Sequence, residues 1–585
     1  MSSKPVQRTP SRLRRPRLAG LASLLPFLLL AVPAPAQEGG DTSSPVFFDT
    51  VDVEVVNIDV HVTDKSGEPV RGLTKDDFEL FVDGEPVAIS NFYPVADGSR
   101  VAPPARVDPE APPTEPPAGD QLDPPLLERA VPPEQRLHVV IYVDNFNLTQ
   151  FNRNRVMREL REFLRRELSA GDEVMLVSYD RALHVRHPFT VTPERLSQAM
   201  LELEDISAQR THRDRERQDL IAAINDIEQQ DADVAVMRLQ HYAGSFYNDM
   251  SFTIDALGRI VENLAGSPGR KAVVYVSDGI PMIVGEDMFY LVTQRHERRM
   301  SLTEMTEYDL SRRFRQLAAN ANANRVTFYT IDARGLTVSS SATVDQAHIG
   351  SAGQMGFIDT INNSNLQSPL QLLAEETGGR AILNANRVLP DLLKMGRDFR
   401  NYYSLGYAPP VAGDGRYHRI EVRLRSKGQG YQIRHRSGYR DKSVESRMIE
   451  GTLSALNLNM QNNPLQMRIQ FGRPKPRSDG NYDAPVYLQI PFAKLTLVPG
   501  GGEHRGRLRI FFAAKDEQDK ATEVQEIPVD ISIPSDRIAE TEGKHYTYGL
   551  ELTMERGYHD LAIGLRDELG AQYAFVRRGV DIAAP

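Results

Sequence analysis

The sequence "HVVIYVDNFNL" at residues 138–148 combines a continuous apolar run with an acid at its end. Three further runs have the same character: "EVMLVSY" (173–179), "KAVVYVSD" (271–278) and "VTFYTID" (326–332). Uninterrupted β-branched runs of this length are typical of parallel strands that are buried on both faces. Stretches with helical patterning separate them, so residues 136–400 are predicted to form a doubly wound α/β unit.

Three of these four strands end in an acid, at Asp144, Asp278 and Asp332. In an open α/β sheet the ligand crevice lies beyond the carboxyl ends of the strands, so the three carboxylates are expected at one edge. An acid in this position often only caps the following helix. Each carboxylate alone is therefore a weak indication of a binding site.

The strand at 138–148 together with "SFTIDALGRIVENLAGSPGRKAVVYVSDG" at 251–279 resembles the von Willebrand factor A domain. The flanks "VTDKSGEPVRGLTKDDFELFVDGEPVAISNF" and "YYSLGYAP…GRYHRIEVRLRSKGQGYQIRHRSGY" resemble those of exported bacterial proteins of the VWFA-related acidobacterial type. The resemblance spans roughly residues 48–440. It implies a Rossmann-like domain flanked by immunoglobulin-like β-sandwich domains, which binds proteins or matrix and has no catalytic activity of its own.

The resemblance also implies a metal-ion-dependent adhesion site, in which hydroxyls and carboxylates surround Mg²⁺ or Mn²⁺. Asp144 matches the leading aspartate of the family's DxSxS loop, Ser251 matches its threonine and Asp278 matches its distant aspartate. These three residues are the candidate metal ligands. Hard oxygen ligands suit either ion, and a partner's acidic side chain would complete the octahedron.

The two serine positions of the family's loop are occupied by Phe146 and Leu148, which have no side-chain oxygen. Asn145 and Asn147 are polar but point elsewhere if the family's register holds. The sequence therefore predicts a degenerate site that binds Mg²⁺ or Mn²⁺ weakly or not at all. Residues 145–148 are expected to form a partly apolar rim on which a partner docks.

The formal net charge is −10, yet the first 37 residues contain six basic and no acidic side chains, so the remainder carries −16. Such a surface repels nucleic acid, which is not expected as a partner. Residues 1–36 are predicted to be a signal peptide, because basic residues precede a short apolar run and the small residues "APA". The mature protein is therefore expected to be periplasmic or extracellular and to have no membrane span after cleavage. An uncleaved anchor is the alternative.

Residues 48–97 show the alternation and turn chemistry of a small antiparallel β segment. The proline-rich stretch 98–135 is predicted to be an extended linker. Neither the first segment nor the β segment at 401–440 can bury a stable core alone, so the two are predicted to pair in one sandwich. Residues 446–585 contain further strands divided by turns and are predicted to form a C-terminal β-sandwich.

Residues 205–245 exceed what a minimal A domain requires and have helical periodicity. Apolar residues recur at spacings of three, four and seven, at Leu220, Ile224, Ile227, Val234 and Met237. One interpretation is a helical hairpin that packs on its own domain. The other is a protruding arm that binds a partner through an exposed apolar stripe.

The sequence contains no HExxH, no GxSxG, no P-loop and no GxGxxG motif. An enzyme is therefore not expected, and a hydrolase is only a distant alternative. The function predicted from the sequence is an exported protein that binds an unidentified protein partner. The alternative from a different class is a structural scaffold of a cell-envelope assembly, without an exchangeable ligand.

Overall fold

The computed structural model describes residues 55–100, 136–168, 171–228, 231–296, 302–336, 352–410, 413–425 and 430–582. The predicted signal peptide (1–36) and nearly all of the predicted linker (98–135) lie outside these residues. The described chain is a mixed α/β protein with one largely parallel sheet and four antiparallel sheets. Within it, no helix has the length and apolar character needed to cross a membrane.

Two chain segments far apart in sequence build the N-terminal sandwich. The first supplies β1 (Val56–Thr63), β2 (Phe78–Val82), β3 (Glu85–Val87), β4 (Asn91–Ala96) and β5 (Ser99–Arg100), and the second supplies β12 (Tyr402–Tyr407), β13 (Tyr417–Leu424), β14 (Gln432–Arg434) and β15 (Gly438–Arg440). The sheet orders are β14-β1-β12-β4-β5 and β15-β13-β2-β3. Alternating apolar residues of both segments, such as Ile58, Leu80 and Leu405, are buried in one core. The α/β unit is thus inserted between the two halves of this sandwich.

The central sheet has the order β11-β10-β9-β6-β7-β8. Its strands are β6 (Leu137–Val143), β7 (Glu173–Tyr179), β8 (Leu183–Thr190), β9 (Arg270–Ser277), β10 (Val326–Asp332) and β11 (Ala381–Ile382). All neighbours are parallel except β8, which runs antiparallel to β7 at the edge. Every residue of β6 is buried, as expected for a central strand covered on both faces.

Helices cover both faces of this sheet. One face carries α1 (Gln150–Glu167), α2 (Pro193–Glu204) and α9 (Leu389–Arg400). The other carries α3 (Arg210–Asp226), α4 (Ala232–Asn263), α5 (Glu286–His296), α6 (Leu302–Thr306), α7 (Ser311–Ala323) and α8 (Ala352–Glu376). The carboxyl ends of the parallel strands lie between these two helical layers, which is where the candidate site is found.

The predicted insertion at 205–245 is α3 together with the first half of α4, and it packs on its own sheet. Leu220 and Ile224 are buried there, whereas Val234 and Met237 are exposed. The predicted continuous stripe is wrong because α3 ends at Asp226 and α4 begins at Ala232, which resets the helical phase. The buried positions of α4 make a protruding arm incompatible with the structure.

The C-terminal unit contains two packed antiparallel sheets and one helix. Its elements are α10 (Val444–Leu458), β16 (Arg468–Phe471), β17 (Lys475–Pro476), β18 (Tyr482–Pro491), β19 (Val498–Gly500), β20 (Glu503–Asp516), β21 (Gln525–Pro534), β22 (His545–Met554), β23 (Gly557–Asp567) and β24 (Gln572–Ile582). Sequence analysis missed α10, which Ser443 caps by accepting from the Ser446 amide. A Cβ on Gly266 would lie 2.2 Å from the Gly451 Cα, so glycine is required where α10 meets the α/β unit.

Candidate functional site

The carboxylates of Asp144, Asp278 and Asp332 all lie at the carboxyl edge of the parallel strands, as the sequence predicted for these positions. Each side chain is fully buried. A carboxylate removed from water requires hydrogen-bond donors or opposite charges to remain ionised. The identity of those donors therefore decides what the site can bind.

Asp144 accepts hydrogen bonds only from uncharged groups of the protein. One carboxylate oxygen accepts from the Tyr275 hydroxyl at 2.5 Å, the Asn147 side-chain amide at 2.7 Å and the Ser277 hydroxyl at 3.2 Å. The other accepts from the Asn147 main-chain amide at 3.2 Å. Burial raises the pKa of Asp144, and these donors oppose that shift. Both oxygens are thus already occupied by donors within the protein.

Asp278 holds the beginning of α1. Its two oxygens accept from the Thr149 amide at 2.9 Å and from the Asn152 side-chain amide at 2.9 Å. Thr149 is the N-cap of α1, where a negative charge is favoured by the free amides and by the helix dipole. Burial raises the pKa of Asp278, while Arg210, whose guanidinium donates to the Asp278 carbonyl at 3.0 Å, lowers it.

Asp332 is neutralised by an arginine two residues further along the chain. Arg334 donates to both of its oxygens, at 2.8 and 3.0 Å, and Gln367 of α8 donates to one of them at 2.8 Å. The Arg334 side chain is 11% exposed, so this pair is largely shielded from solvent. The third carboxylate of the edge therefore has its own internal counter-ion.

Arg213 of α3 lies over the loop that follows β6. Its guanidinium donates to the Asn147 side-chain oxygen at 2.7 Å and to the Phe146 carbonyl. It also stacks 4.1 Å from the centre of the Phe146 ring. Burial and the nearby Arg210 lower the pKa of Arg213 to about 10, and the charge of Asp144 opposes this shift. The positive charge of Arg213 thus acts on Asp144 and favours its ionised form.

Sequence analysis did not identify Arg210 and Arg213 as site residues. A signal was present, because Arg210, Arg213 and Arg217 are spaced by three and four residues, which places them on one face of a helix. Arg217 pairs with the buried Asp287 at 2.6 Å. The basic face of α3 therefore points at the acidic edge of the sheet.

The predicted partner-binding rim is wrong, because the structure buries all four of its residues. Asn145, Phe146, Asn147 and Leu148 are 0%, 3%, 1% and 0% exposed, respectively. Asn145 donates to the Ser207 carbonyl and accepts from Arg153, while Arg213 covers Phe146. The connection from α2 into α3 closes over this loop, so these side chains belong to the interior.

Ser251 lies within the long helix α4, not in a loop beside the strand ends. It is 6% exposed, and its hydroxyl has no hydrogen-bond partner among the described residues. Ser251 therefore makes no hydrogen bond with Asp144 or Asp278. The structure brings the two aspartates to the same edge but does not present Ser251 on a loop with them.

The residues at this edge do not fit Mg²⁺ or Mn²⁺. Either ion requires about six oxygen ligands, whereas one Asp144 oxygen already accepts three hydrogen bonds, the other accepts one, and residues 146 and 148 offer no side-chain oxygen. The described residues also contain no cluster of three acidic or histidine side chains suited to a metal. The unpaired Ser251 hydroxyl is the one feature in favour of a metal, and the nearby charges of Arg210 and Arg213 would repel it.

Comparison with known proteins yields no family model and no curated protein that matches this chain. Some solved structures are similar in fold to parts of this chain. An aerotolerance-related membrane protein from Bacteroides fragilis shares 11% identity at a TM-score of 0.24, covering 45% of this chain and 98% of that protein.

Two further solved structures match over a larger part of the chain. Three N-terminal domains of the type V pili tip protein Mfa5 from Porphyromonas gingivalis share 11% identity at a TM-score of 0.21, covering 76% of this chain and 71% of that one. A von Willebrand factor type A structure from Catenulispora acidiphila shares 8% identity at 0.19, covering 76% and 65%, respectively. These TM-scores are too low to assign a family or a function.

Proposed function

We propose that this chain is an exported protein-binding module, not an enzyme, and that it recognises its partner at the carboxyl edge of the central sheet without a metal ion. The three carboxylates at this edge are buried and bonded to fixed donors within the protein. That arrangement stabilises loops and helix ends and leaves no carboxylate free to transfer protons or to coordinate a partner-bound cation. Recognition is therefore assigned to neighbouring exposed side chains.

The observation that carries this proposal is the exposure of Phe151 in the first turn of α1. Its side chain is 78% exposed, the highest value among the large apolar side chains of the described residues. It follows Thr149, whose amide is held by the buried Asp278. The exposed aromatic ring is thus carried by an ordered backbone at the carboxyl edge of the sheet, and burying it against a partner would be strongly favourable.

Leu336 is a second exposed apolar residue at the carboxyl edge of the sheet. It is 60% exposed and follows β10 by four residues. Its amide donates to the Asn386 side chain at 2.9 Å. Arg155, one turn along α1 from Phe151, donates to the Ala333 carbonyl at 2.6 Å and so connects the two segments. We call Phe151 and Leu336 the edge patch.

Single exposed apolar side chains are common on protein surfaces and by themselves indicate nothing. The edge patch differs because both residues lie at the same edge of the sheet and both backbones are anchored by hydrogen bonds. A segment whose backbone is already ordered loses less conformational entropy on binding than a flexible one. This is the property expected of the central residues of a protein interface.

A scaffold role in a cell-envelope assembly is the second candidate. It is favoured by the close junction between α10 and the α/β unit, where the Ser454 hydroxyl donates to the Asn263 carbonyl at 2.5 Å and accepts from the Gly266 amide at 3.0 Å. Such a junction holds α10 and the α/β unit in a fixed arrangement, which is more typical of a structural scaffold than of a receptor with a hinge between its domains. A stable stoichiometric complex would support the scaffold, whereas reversible capture would support the receptor.

Replacing Phe151 by serine is expected to lower retention of the partner by at least about tenfold, because truncation of a buried aromatic anchor costs roughly 2 kcal/mol or more. In the experiment, the unmodified mature chain and the Phe151→Ser variant are immobilised separately. The amount of partner that each captures from envelope extract is then compared in the presence of a chelator. Val191→Ser is the control, because Val191 is 58% exposed and follows β8 at the opposite edge of the same sheet. Equal retention by Phe151→Ser and the unmodified chain would refute the proposal.

A further inference from the structure

A cavity of about 420 Å³ lies at the amino edge of the central sheet, opposite the acidic edge. Its walls come from the N-terminal sandwich, from the segments that precede β9 and β10, and from the beginning of α10. The volume lies within the range of small-molecule sites in proteins. Neither the acidic edge nor the edge patch contributes to this cavity.

Basic side chains outnumber acidic ones around the cavity by eight to three. Each of the three acids already has an internal partner. Asp59 pairs with Arg270 at 2.8 Å, and Glu450 pairs with Lys442 at 2.6 Å. Asp441 accepts from the Gly413 amide at 2.6 Å with one oxygen, while its other oxygen has no hydrogen-bond partner among the described residues. The lining therefore carries an excess of basic over acidic side chains.

Two of the cations are deeply buried and form no ion pair among the described residues. Lys271 is 5% exposed and donates only to the carbonyls of Ala265 and Ser267, at 3.3 and 3.0 Å. Arg436 is 9% exposed and donates to the carbonyls of Asn322 and Asn57, at 3.3 and 2.8 Å. The Arg436 Nε has no partner in the described part of the chain.

Burial and neighbouring positive charges disfavour the charged forms of Lys271 and Arg436, and the charges of Glu450 and Asp59 act against this effect. Burial lowers the pKa of Lys271, the charges of Arg325, Lys442 and Arg436 lower it further, and the charge of Glu450 opposes this shift. Burial also lowers the pKa of Arg436 to about 10, with a further contribution from Arg325. Buried cations normally lie beside a carboxylate or a bound anion.

We propose that this cavity binds a small organic phosphate, whose phosphoryl group lies between Lys271 and Arg436. Phosphoryl oxygens are the acceptors that a guanidinium and an ammonium group recognise best. The cavity is larger than an inorganic phosphate ion, and its walls include the rings of Tyr329, Tyr402 and Phe575, which would contact the organic part. This site is independent of the edge patch.

Calorimetric titration of the mature chain tests the proposal, with inorganic phosphate, ribose 5-phosphate and sulfate as probes and sodium chloride at matched ionic strength as the blank. Saturable binding is expected, with ribose 5-phosphate tighter than inorganic phosphate because of the aromatic walls. Sulfate binding as tightly as ribose 5-phosphate would overturn the assignment to an organic phosphate. Absence of saturation by any probe up to about 10 mM would overturn the site.

Lys271→Met and Arg436→Met are each expected to weaken binding by at least about tenfold, the loss expected for a charge-assisted hydrogen bond. Arg325→Gln alters an exposed arginine of the lining and is expected to weaken binding of the probe to a smaller extent. This variant replaces Lys271→Met or Arg436→Met in the test if either of those substitutions prevents folding. Arg556→Gln, an exposed arginine outside the lining, is the control. Unchanged affinity in the three cavity variants would show that the cations have only a structural role.

Discussion

Replacing Asp144 by alanine is expected to destabilise the chain by about 3–5 kcal/mol when a chelator is present. The substitution removes the acceptor for the Tyr275 hydroxyl, the Asn147 amide and the Ser277 hydroxyl, which are buried and would be left without a partner. It also removes the negative charge that Arg213 faces. Each of these losses acts on the folded state alone.

Differential scanning calorimetry in the presence of a chelator measures this effect as a lower midpoint of the transition that contains the α/β unit. Asp530→Ala is the control, because this exposed carboxylate pairs with an exposed arginine and is expected to contribute less than about 1 kcal/mol. A metal site makes the opposite prediction. Two facing carboxylates without their cation repel each other, so removing one would leave the midpoint unchanged or raise it.

Acidification from pH 7.5 to pH 5 is expected to destabilise the chain through two buried histidines. Burial lowers the pKa of His61 and of His138 from 6.5 to about 4. Below pH 6.5 the unfolded chain takes up protons that the folded chain does not, so stability falls as the pH decreases toward 4. Each histidine contributes roughly 2 kcal/mol to the loss at pH 5.

Thermal unfolding as a function of pH checks this expectation when the unmodified chain is compared with His61→Gln. The variant should recover roughly 2 kcal/mol of the difference between the two pH values, while His545→Gln, at an exposed position on β22, should recover nothing. The raised pKa values of Asp144 and Asp278 act in the opposite direction at lower pH. An identical pH dependence in His61→Gln would show that the imidazole of His61 is not held neutral by burial.

Four of the six strands of the central sheet, β6, β7, β9 and β10, could be located from sequence almost to the residue. Continuous β-branched runs such as 138–144 are typical of strands that are covered on both faces, so the local composition indicates the tertiary environment. The same reasoning placed Asp144, Asp278 and Asp332 at one edge. Helix α10 was missed although Ser443 caps it, because its apolar positions are interleaved with polar residues.

What covers the acidic edge could not be predicted from local sequence. Arg213 reaches Phe146 only because α3 folds back across the strand ends, and the packing direction of α3 depends on the break before α4. Aligning residues 144–148 with the loop of the resembling family likewise does not predict that helix α3, inserted elsewhere in the sequence, covers this loop. The burial of Phe146 and Leu148 is thus a consequence of long-range packing, and Phe151 was overlooked for the same reason.

The central claim is that the protein's own hydrogen-bond donors and arginines, and not a divalent cation, stabilise this edge. The most direct test of this claim is calorimetric titration of the mature chain with Mg²⁺ and Mn²⁺ after chelator treatment and dialysis. The double variant Phe146→Ser, Leu148→Ser is titrated in parallel. We predict no saturable binding by the unmodified chain at concentrations up to about 1 mM. Micromolar binding that is abolished in Asp144→Ala would contradict the account.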